Sequence, residues 1–406
     1  MRILVLNAGS SSQKACLYDV SAPLPEDAQP ALWEARIEWG QAGGGRLRIQ
    51  TAGQPAEQVE IAVGSHEAAL AHLLSTLNNH PGLGRQDGPV VEAAAHRVVH
   101  GGARYTEPVL ITPEVKSAIA QAGVFAPLHN RAEIQGMEAV AERFGRIPQV
   151  AVFDTAFHRS LPEEEVVYPG PYEWLEKGLR RYGFHGINHE YCAARAARLL
   201  DREPTSLRLV TCHLGSGCSL TAVGGGRSLA TTMGFTPLEG LMMSTRAGSL
   251  DPGLLLYLMR ELRYTPEQLE DILNRGSGLL GVSGISADMR EVLAARAQGE
   301  PRADLAFRLF VQRLTFHVGA LLPSLGRLDA LVFTGGIGEN SPEVRAAACK
   351  RLAFLGVELD PKRNSEAHAD GDLAAPPSKV RVLLIRAQED WVIARTGCKL
   401  LTEVVK

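Results

Sequence analysis

Ile3-Leu4-Val5-Leu6-Asn7-Ala8-Gly9-Ser10-Ser11-Ser12-Gln13-Lys14-Ala15-Cys16-Leu17-Tyr18 reads as an apolar strand, a tip of small residues and a second apolar strand. The scheme returns at Leu207–Val223, where Leu214-Gly215-Ser216-Gly217-Cys218-Ser219 separates two apolar stretches. Small residues at a hairpin tip let backbone N–H groups approach an anion closely. Two such tips describe either two ordinary hairpin turns or a duplicated fold that holds phosphate between its halves.

Working outward, short apolar runs at Ile3–Leu6, Val150–Phe153, Leu207–Thr211, Ala330–Thr334 and Val380–Ile385 predict buried strands. Helical patterns fall at Glu67–Leu77, Arg131–Arg143, His189–Leu200, Thr265–Asn274, Asp288–Arg296, Ala303–Leu325 and Pro342–Leu355. Thr265-Pro266 and Ser341-Pro342 each place a cap residue before a proline suited to a first helical turn. Strands mixed with helices over 406 residues imply an α/β architecture of two or three domains. Ser21–Pro30, Gln41–Gly45 and Gly371–Pro377 read as surface loops.

Composition removes several classes of function. A net charge of −3 leaves no basic surplus for a nucleic-acid backbone. The longest apolar run, Leu254–Met259, is far short of the roughly 20 residues of a membrane span, and the N-terminus carries no signal-peptide pattern. Six scattered cysteines without CxxC pairs fit free thiols in a reducing cytoplasm. Glycine is abundant, at 41 residues, about one in ten against a typical 7%.

Several motifs carry chemistry. No GxxxxGK[ST] occurs, and Gly276-Ser277-Gly278-Leu279-Leu280-Gly281 matches GxGxxG but follows a helical segment, so it is read as a loop. Phe333-Thr334-Gly335-Gly336-Ile337-Gly338-Glu339-Asn340 reads as a strand end and a glycine-rich turn that would receive a flat ring or a phosphate. Histidines cluster from His96 to His213; the spacings His96/His100 and His185/His189 invite a metal reading, but their glycine and arginine neighbours suit donors to an anion better. Arg97 and Arg246 lie in apolar or small-residue settings and need an anionic partner, either an internal carboxylate or a ligand.

Together these residues resemble the acetokinase family, within the superfamily of acetate and sugar kinases, chaperone ATPases and actin. The resemblance rests on Leu6–Lys14, His96–Gly102, Ala126–Asn130, Phe153–His158, Arg180–Gly186, Met233–Met243 and Phe333–Asn340. It implies two ribonuclease-H-like α/β domains with a duplicated core and an active-site cleft between them. The first domain would be residues 1–155 plus 390–406, and the second 156–389, carrying the nucleotide site and the contact of a homodimer. The reaction implied is reversible, direct in-line phosphoryl transfer between ATP and acetate, giving ADP and acetyl phosphate. Mg²⁺, replaceable by Mn²⁺, would sit on Asn7 and Glu389.

Residue by residue, the resemblance makes Arg97 the carboxylate contact. Val99, Leu128, Phe184 and Pro237 would enclose the methyl group. His185, Arg246 and His129 would be donors to the transferring phosphoryl. Lys14, Ser10, Ser12, His213, Leu214, Gly215, Ser216 and Gly217 would meet the nucleotide phosphates, and Asp288, Met289, Arg290, Gly336, Ile337, Gly338, Glu339 and Asn340 the rest of the nucleotide. Asp154 matches a position described as a proton donor or acceptor. Acetate, with a pKa of about 4–5, is already ionised at neutral pH, so Asp154 is expected to orient Arg97 or a metal-bound water. A propionate kinase, a pyrophosphate-linked relative and an actin- or chaperone-like ATPase are the alternatives.

Overall fold

The computed structural model describes residues 1–8, 12–39, 44–62, 65–78, 80, 83, 89–123 and 127–404. They form two compact units, Met1–Ala156 with Gln388–Lys406, and Phe157–Ala387.

The first unit begins with an antiparallel meander: β1 (Arg2–Ala8), β2 (Ser12–Asp19), β3 (Trp33–Trp39), β4 (Gly44–Thr51) and β5 (Glu57–Ala62). Helix α1 (His66–Asn78) follows, then β6 (Ala93–Val98), β7 (Val109–Leu110), α2 (Pro113–Ala122), α3 (Pro127–Phe144) and β8 (Gln149–Phe153). The sheet order is β5-β4-β3-β2-β1-β6-β8-β7, with β1, β6 and β8 parallel. Strand alternation sends Leu4, Leu6, Leu17, Trp33 and Ile37 to one face, where Leu70, Leu73, Leu74 and Leu77 of α1 and Val140 of α3 cover them. Gly44 and Gly45, expected in a loop, pair with β5 instead, because the meander runs on through them; positions 41–43 lie outside the described residues.

The second unit opens with the short helices α4 (Glu163–Val166) and α5 (Glu173–Glu176), then α6 (Gly186–Leu199). Its own meander is β9 (Arg208–Leu214), β10 (Cys218–Gly224) and β11 (Arg227–Thr231). A helical stretch follows: α7 (Pro252–Arg260), α8 (Pro266–Arg275), α9 (Gly278–Ser283), α10 (Met289–Ala297) and α11 (Pro301–Leu325). The chain then runs through β12 (Ala330–Thr334), α12 (Gly335–Asn340), α13 (Pro342–Arg351), α14 (Pro361–Glu366), β13 (Gly371–Asp372) and β14 (Arg381–Leu384). The order β11-β10-β9-β12-β14-β13, with β9, β12 and β14 parallel, repeats the centre of the first sheet. In each unit a hairpin leads into two parallel strands, so the duplication lies in the strand order.

Helix α11 is long and apolar enough to cross a membrane by length and composition. Here it buries Phe307, Phe310, Val311, Leu314 and Val318 as the central helix of the second unit. Thr265 and Ser341 cap α8 and α13 as the sequence predicts, Thr265 through a full capping box with Gln268. Helix α15 (Glu389–Val404) returns to the first unit. Gly397 lets it approach closely; an added Cβ would stand 2.9 Å from Ile3 and 3.0 Å from Ala95. All six cysteines are free and buried.

Candidate active site

In the first unit the ends of β1, β2, β6 and β8 and the start of α15 bring Asn7, Lys14, Arg97, Asp154, Glu389 and Asp390 into one polar network. Arg97 donates to Asp154 Oδ2 from Nε at 3.2 Å and from Nη2 at 2.5 Å, and from Nη1 to Asn7 Oδ1 at 3.2 Å. Asn7 Nδ2 donates to Asp390 Oδ1 at 2.9 Å, and Asp390 Oδ2 pairs with Lys14 Nζ at 2.8 Å. Lys14 also pairs with Glu34 at 2.9 Å. Parallel pairing sets Arg97 opposite Val152, two residues before Asp154, so adjacent strand ends deliver both groups. Burial disfavours charge on Arg97 and Lys14, but the carboxylates facing them win and raise both above their ordinary values.

Two acids in this unit are held the other way. Burial, reinforced by Asp154 and Asp390 against the pull of Arg97, raises Glu389 to about 7. Burial raises Glu133 on α3 to about 8; its Oε1 accepts the Val99 N–H at 3.0 Å. Glu389 Oε1, Asp154 Oδ1 and Glu133 Oε2 are shielded from solvent and have no hydrogen-bond partner among the described residues. Glu389, hydrogen-bonded to Asn7 and with one carboxylate oxygen left unpartnered, offers a hard oxygen donor suited to a small divalent cation that keeps most of its water. Among the described residues no group of three or more His, Cys, Asp or Glu could hold a metal, so water would complete such a site.

Val99 is buried at the mouth of β6. Leu128 and His129 lie in the first turn of α3, with side chains outside the described set; Ser10 and the Ser12 side chain lie outside it too.

In the second unit the β9–β10 hairpin carries Leu214, Gly215, Ser216 and Gly217 at its tip. His185 caps α6 in the left-handed region at φ 56°, a conformation that costs energy for a residue with a Cβ and recurs at functional sites. Its ring stacks on His213 at 4.2 Å. A Cβ added to Gly217 would stand 3.3 Å from His185 Nε2 and 3.5 Å from Arg246 Nη1, so both groups face the tip. Phe184 is fully buried and Pro237 half-buried. The segment before Pro237 is tied down by Arg181, which pairs with Glu239 at 2.7 Å and donates to the Met233 carbonyl at 3.0 Å.

Gly276–Gly281, read as a loop, contains the start of α9. At Gly278, with φ +62°, an added Cβ would meet the Met243 carbonyl oxygen at 2.2 Å and that of Arg246 at 2.9 Å. The N–H groups of Ser277, Leu279 and Leu280 donate to the carbonyls of Thr245, Met243 and Ser244. Ser244 N–H donates to the Ser216 carbonyl at 3.2 Å. The motif therefore pins the Arg246 loop against the hairpin tip, a role its sequence context did not signal.

The glycine-rich turn at Gly335–Asn340 is a short helix, α12. Gly335 has φ +77°, and its Cβ would press on the Leu214 backbone at 3.0 Å, so glycine here lets α12 sit directly behind the tip. Gly336 and Asn340 are exposed, Ile337 half-buried and Gly338 buried. Glu339 turns back to accept the Gly335 and Ala387 N–H groups. Asp288 caps α10 and binds Arg290, whose side chain is exposed, while Met289 is buried.

A glycine-tipped hairpin flanked by an arginine and imidazoles is equipment for phosphoryl transfer, which is catalysed by positioning and electrostatics. The chain belongs to the acetokinase family, whose model matches residues 2–395. It is 54% identical to acetate kinase from Gloeobacter violaceus over 97% of this chain and 98% of the relative. It is similar to the crystal structure of Porphyromonas gingivalis acetate kinase, with TM-score 0.88, 36% identity and coverage of 98% and 99%. It is also similar to that of a propionate kinase from Francisella tularensis, with TM-score 0.87, 35% identity and coverage of 97% and 98%.

Proposed function

We propose that this chain is an acetate kinase, transferring the γ-phosphoryl group of ATP to acetate reversibly. The observation that carries the site reading is Arg97, clamped by two bonds to buried Asp154 and presented beside Asn7 and Glu389. A guanidinium held this way keeps donors in fixed geometry for a carboxylate. Asp154 acts by orienting Arg97, because ionised acetate has no proton to surrender.

An acetate oxygen forms the new bond to the γ-phosphorus, the bond to the bridging oxygen of ADP breaks, and no proton moves. His185 and Arg246 hold the equatorial oxygens as charge shifts. His129 is assigned as a further donor. Asn7 and Glu389 would hold Mg²⁺, or Mn²⁺ in its place, which when bound neutralises charge on the transferring phosphate. Lys14, Ser10, Ser12, His213, Leu214, Gly215, Ser216 and Gly217 are assigned to the nucleotide phosphates, and Asp288–Arg290 and Gly336–Asn340 to the remainder of the nucleotide. Val99, Leu128, Phe184 and Pro237 are assigned to the acetate methyl group. One extra methylene is worth only about 1–3 kcal/mol of discrimination, and the similarity to a propionate kinase makes propionate the second substrate to try.

We place the protein in the cytoplasm as a homodimer. Six free, buried thiols support the compartment. Helix α7 supports the dimer: it has no buried residue and exposes Leu254, Leu256, Tyr257 and Met259.

The deciding experiment traps acyl phosphate with hydroxylamine, crossing acetate, propionate and butyrate with ATP, GTP and pyrophosphate. The highest kcat/KM is expected for acetate with ATP. No trapped product in any combination would sink the reading.

A further inference from the structure

Behind His185 lies a line of fully buried polar side chains that the phosphoryl-transfer reading does not use. Ser219 Oγ lies 2.8 Å from His185 Nδ1 and 2.7 Å from His189 Nε2. His189 Nδ1 lies 2.7 Å from Thr211 Oγ1. Thr211, Ser219 and His189 are all 0% exposed.

One hydroxyl proton serves two ring nitrogens at Ser219, so Ser219 must donate to one ring and accept from the other. His189 is held neutral by burial, with His158 and His213 nearby also opposing its charge; one of its nitrogens therefore donates and the other accepts. The direction of the line is then set at its far end. The 2.7 Å contact between Thr211 and His189 can form in either direction, but if His189 donated it the Thr211 hydroxyl proton would have only the Thr221 carbonyl at 3.4 Å, so Thr211 is the donor. We infer that Thr211, His189 and Ser219 are positioning residues that hold His185 as a neutral imidazole with its proton on Nε2, facing Gly217 and Arg246. Thr211 donates to His189 Nδ1, His189 Nε2–H donates to Ser219, and Ser219 donates to His185 Nδ1.

The remaining charged or titratable groups oppose a charge on His185 or are engaged with partners of their own. Arg246 Nη1 lies beside the same Gly217 position as His185 Nε2, and it opposes a second positive charge there. His213, stacked on His185, accepts from the Asn188 amide at Nδ1 and so carries its own proton on Nε2. His158 donates from Nε2 to the Phe184 carbonyl, which only accepts. An imidazolium at His185 would reverse all three bonds and leave the Thr211 hydroxyl proton only the 3.4 Å carbonyl as acceptor. The line gives the site a hydrogen-bond donor without the cost of burying another cation.

The inference rests on His185 as a phosphoryl donor only for its catalytic consequence; the tautomer is measured separately. In the full chain labelled with ¹⁵N-histidine, His185 should show the Nε2–H tautomer at about pH 8, where an ordinary imidazole is neutral. Thr211→Val, nearly isosteric and three hydrogen bonds away, should release it to a mixture of tautomers. The same variant should lower kcat about tenfold, with KM for acetate within about twofold. Thr211→Ser should restore both tautomer and kcat. An Nδ1–H or doubly protonated His185 in the wild type, or an unchanged tautomer in Thr211→Val, would overturn the inference. If the tautomer behaves as stated but His185→Ala keeps full kcat, the relay is supported and the role given to His185 in transfer is what fails.

Discussion

The two hairpins occupy equivalent places in their sheets but are wired differently. One pair back from the last ladder pair stand Asn7 and Lys14 in β1–β2, and His213 and Ser219 in β9–β10. The first pair belongs to a line of formal charges, Glu34, Lys14, Asp390, Asn7, Arg97 and Asp154, joined by ion pairs and one amide. The second belongs to neutral hydroxyls and imidazoles. One scaffold thus carries two electrostatic styles. The charged line suits a carboxylate and a cation, which differ by whole charges. The neutral line suits donors that must meet a phosphoryl group without repelling the nearby arginine.

Substitutions can break this contrast. The largest effect is expected from Arg246→Ala, a loss of about 10²–10³ in kcat with little change in KM for acetate. Arg97→Ala should instead raise KM for acetate by about 10–100-fold, from the worth of charge-assisted hydrogen bonds. Steady-state kinetics on the two variants checks both, and exchanged patterns would mean the roles are reversed. Gly217→Ala should cost about tenfold in kcat, because its Cβ enters the space between His185 and Arg246; an unchanged kcat would remove the tip from the site.

The smallest expected effect is on stability and concerns the charged unit alone. Glu133 is held at about 8 in the folded state against an ordinary 4.5. A raised value means its contribution is whole below pH 4.5 and is lost as pH rises through 8. His96 and His100 are lowered by burial from 6.5 to about 4, so they weaken the fold only below pH 6.5. Glu389, at about 7, has lost most of its contribution by pH 7.5 or so. Denaturant unfolding should therefore show stability falling between about pH 7 and 8 in the wild type and a flatter profile in Glu133→Gln. Equal slopes would show that Glu133 does not carry the trend.

What could be read from the sequence was local. The β9–β10 hairpin tip, the Thr265 and Ser341 caps and the apolar strands all lie within a few residues of their own signals. Glu133, Asp390 and Ser219 gave none, because their partners are distant along the chain: Val99 for Glu133, Asn7 and Lys14 for Asp390, His185 and His189 for Ser219. His185 and His189 did stand out at a spacing of one helical turn, which invites a metal reading, although their neighbours suit donors to an anion better. The two rings share the Ser219 hydroxyl. Gly276–Gly281 was misjudged for a related reason. Its purpose is the Arg246 loop it presses against, and nothing inside the motif names that neighbour.

The six buried thiols have a use as clocks. Cys16 and Cys398 lie in one unit, and Cys192, Cys212, Cys218 and Cys349 in the other, none more than 4% exposed. A thiol reagent can reach them only when the surrounding structure opens. The rates at which the two sets are alkylated would time the opening of each half separately, with no label added to the chain.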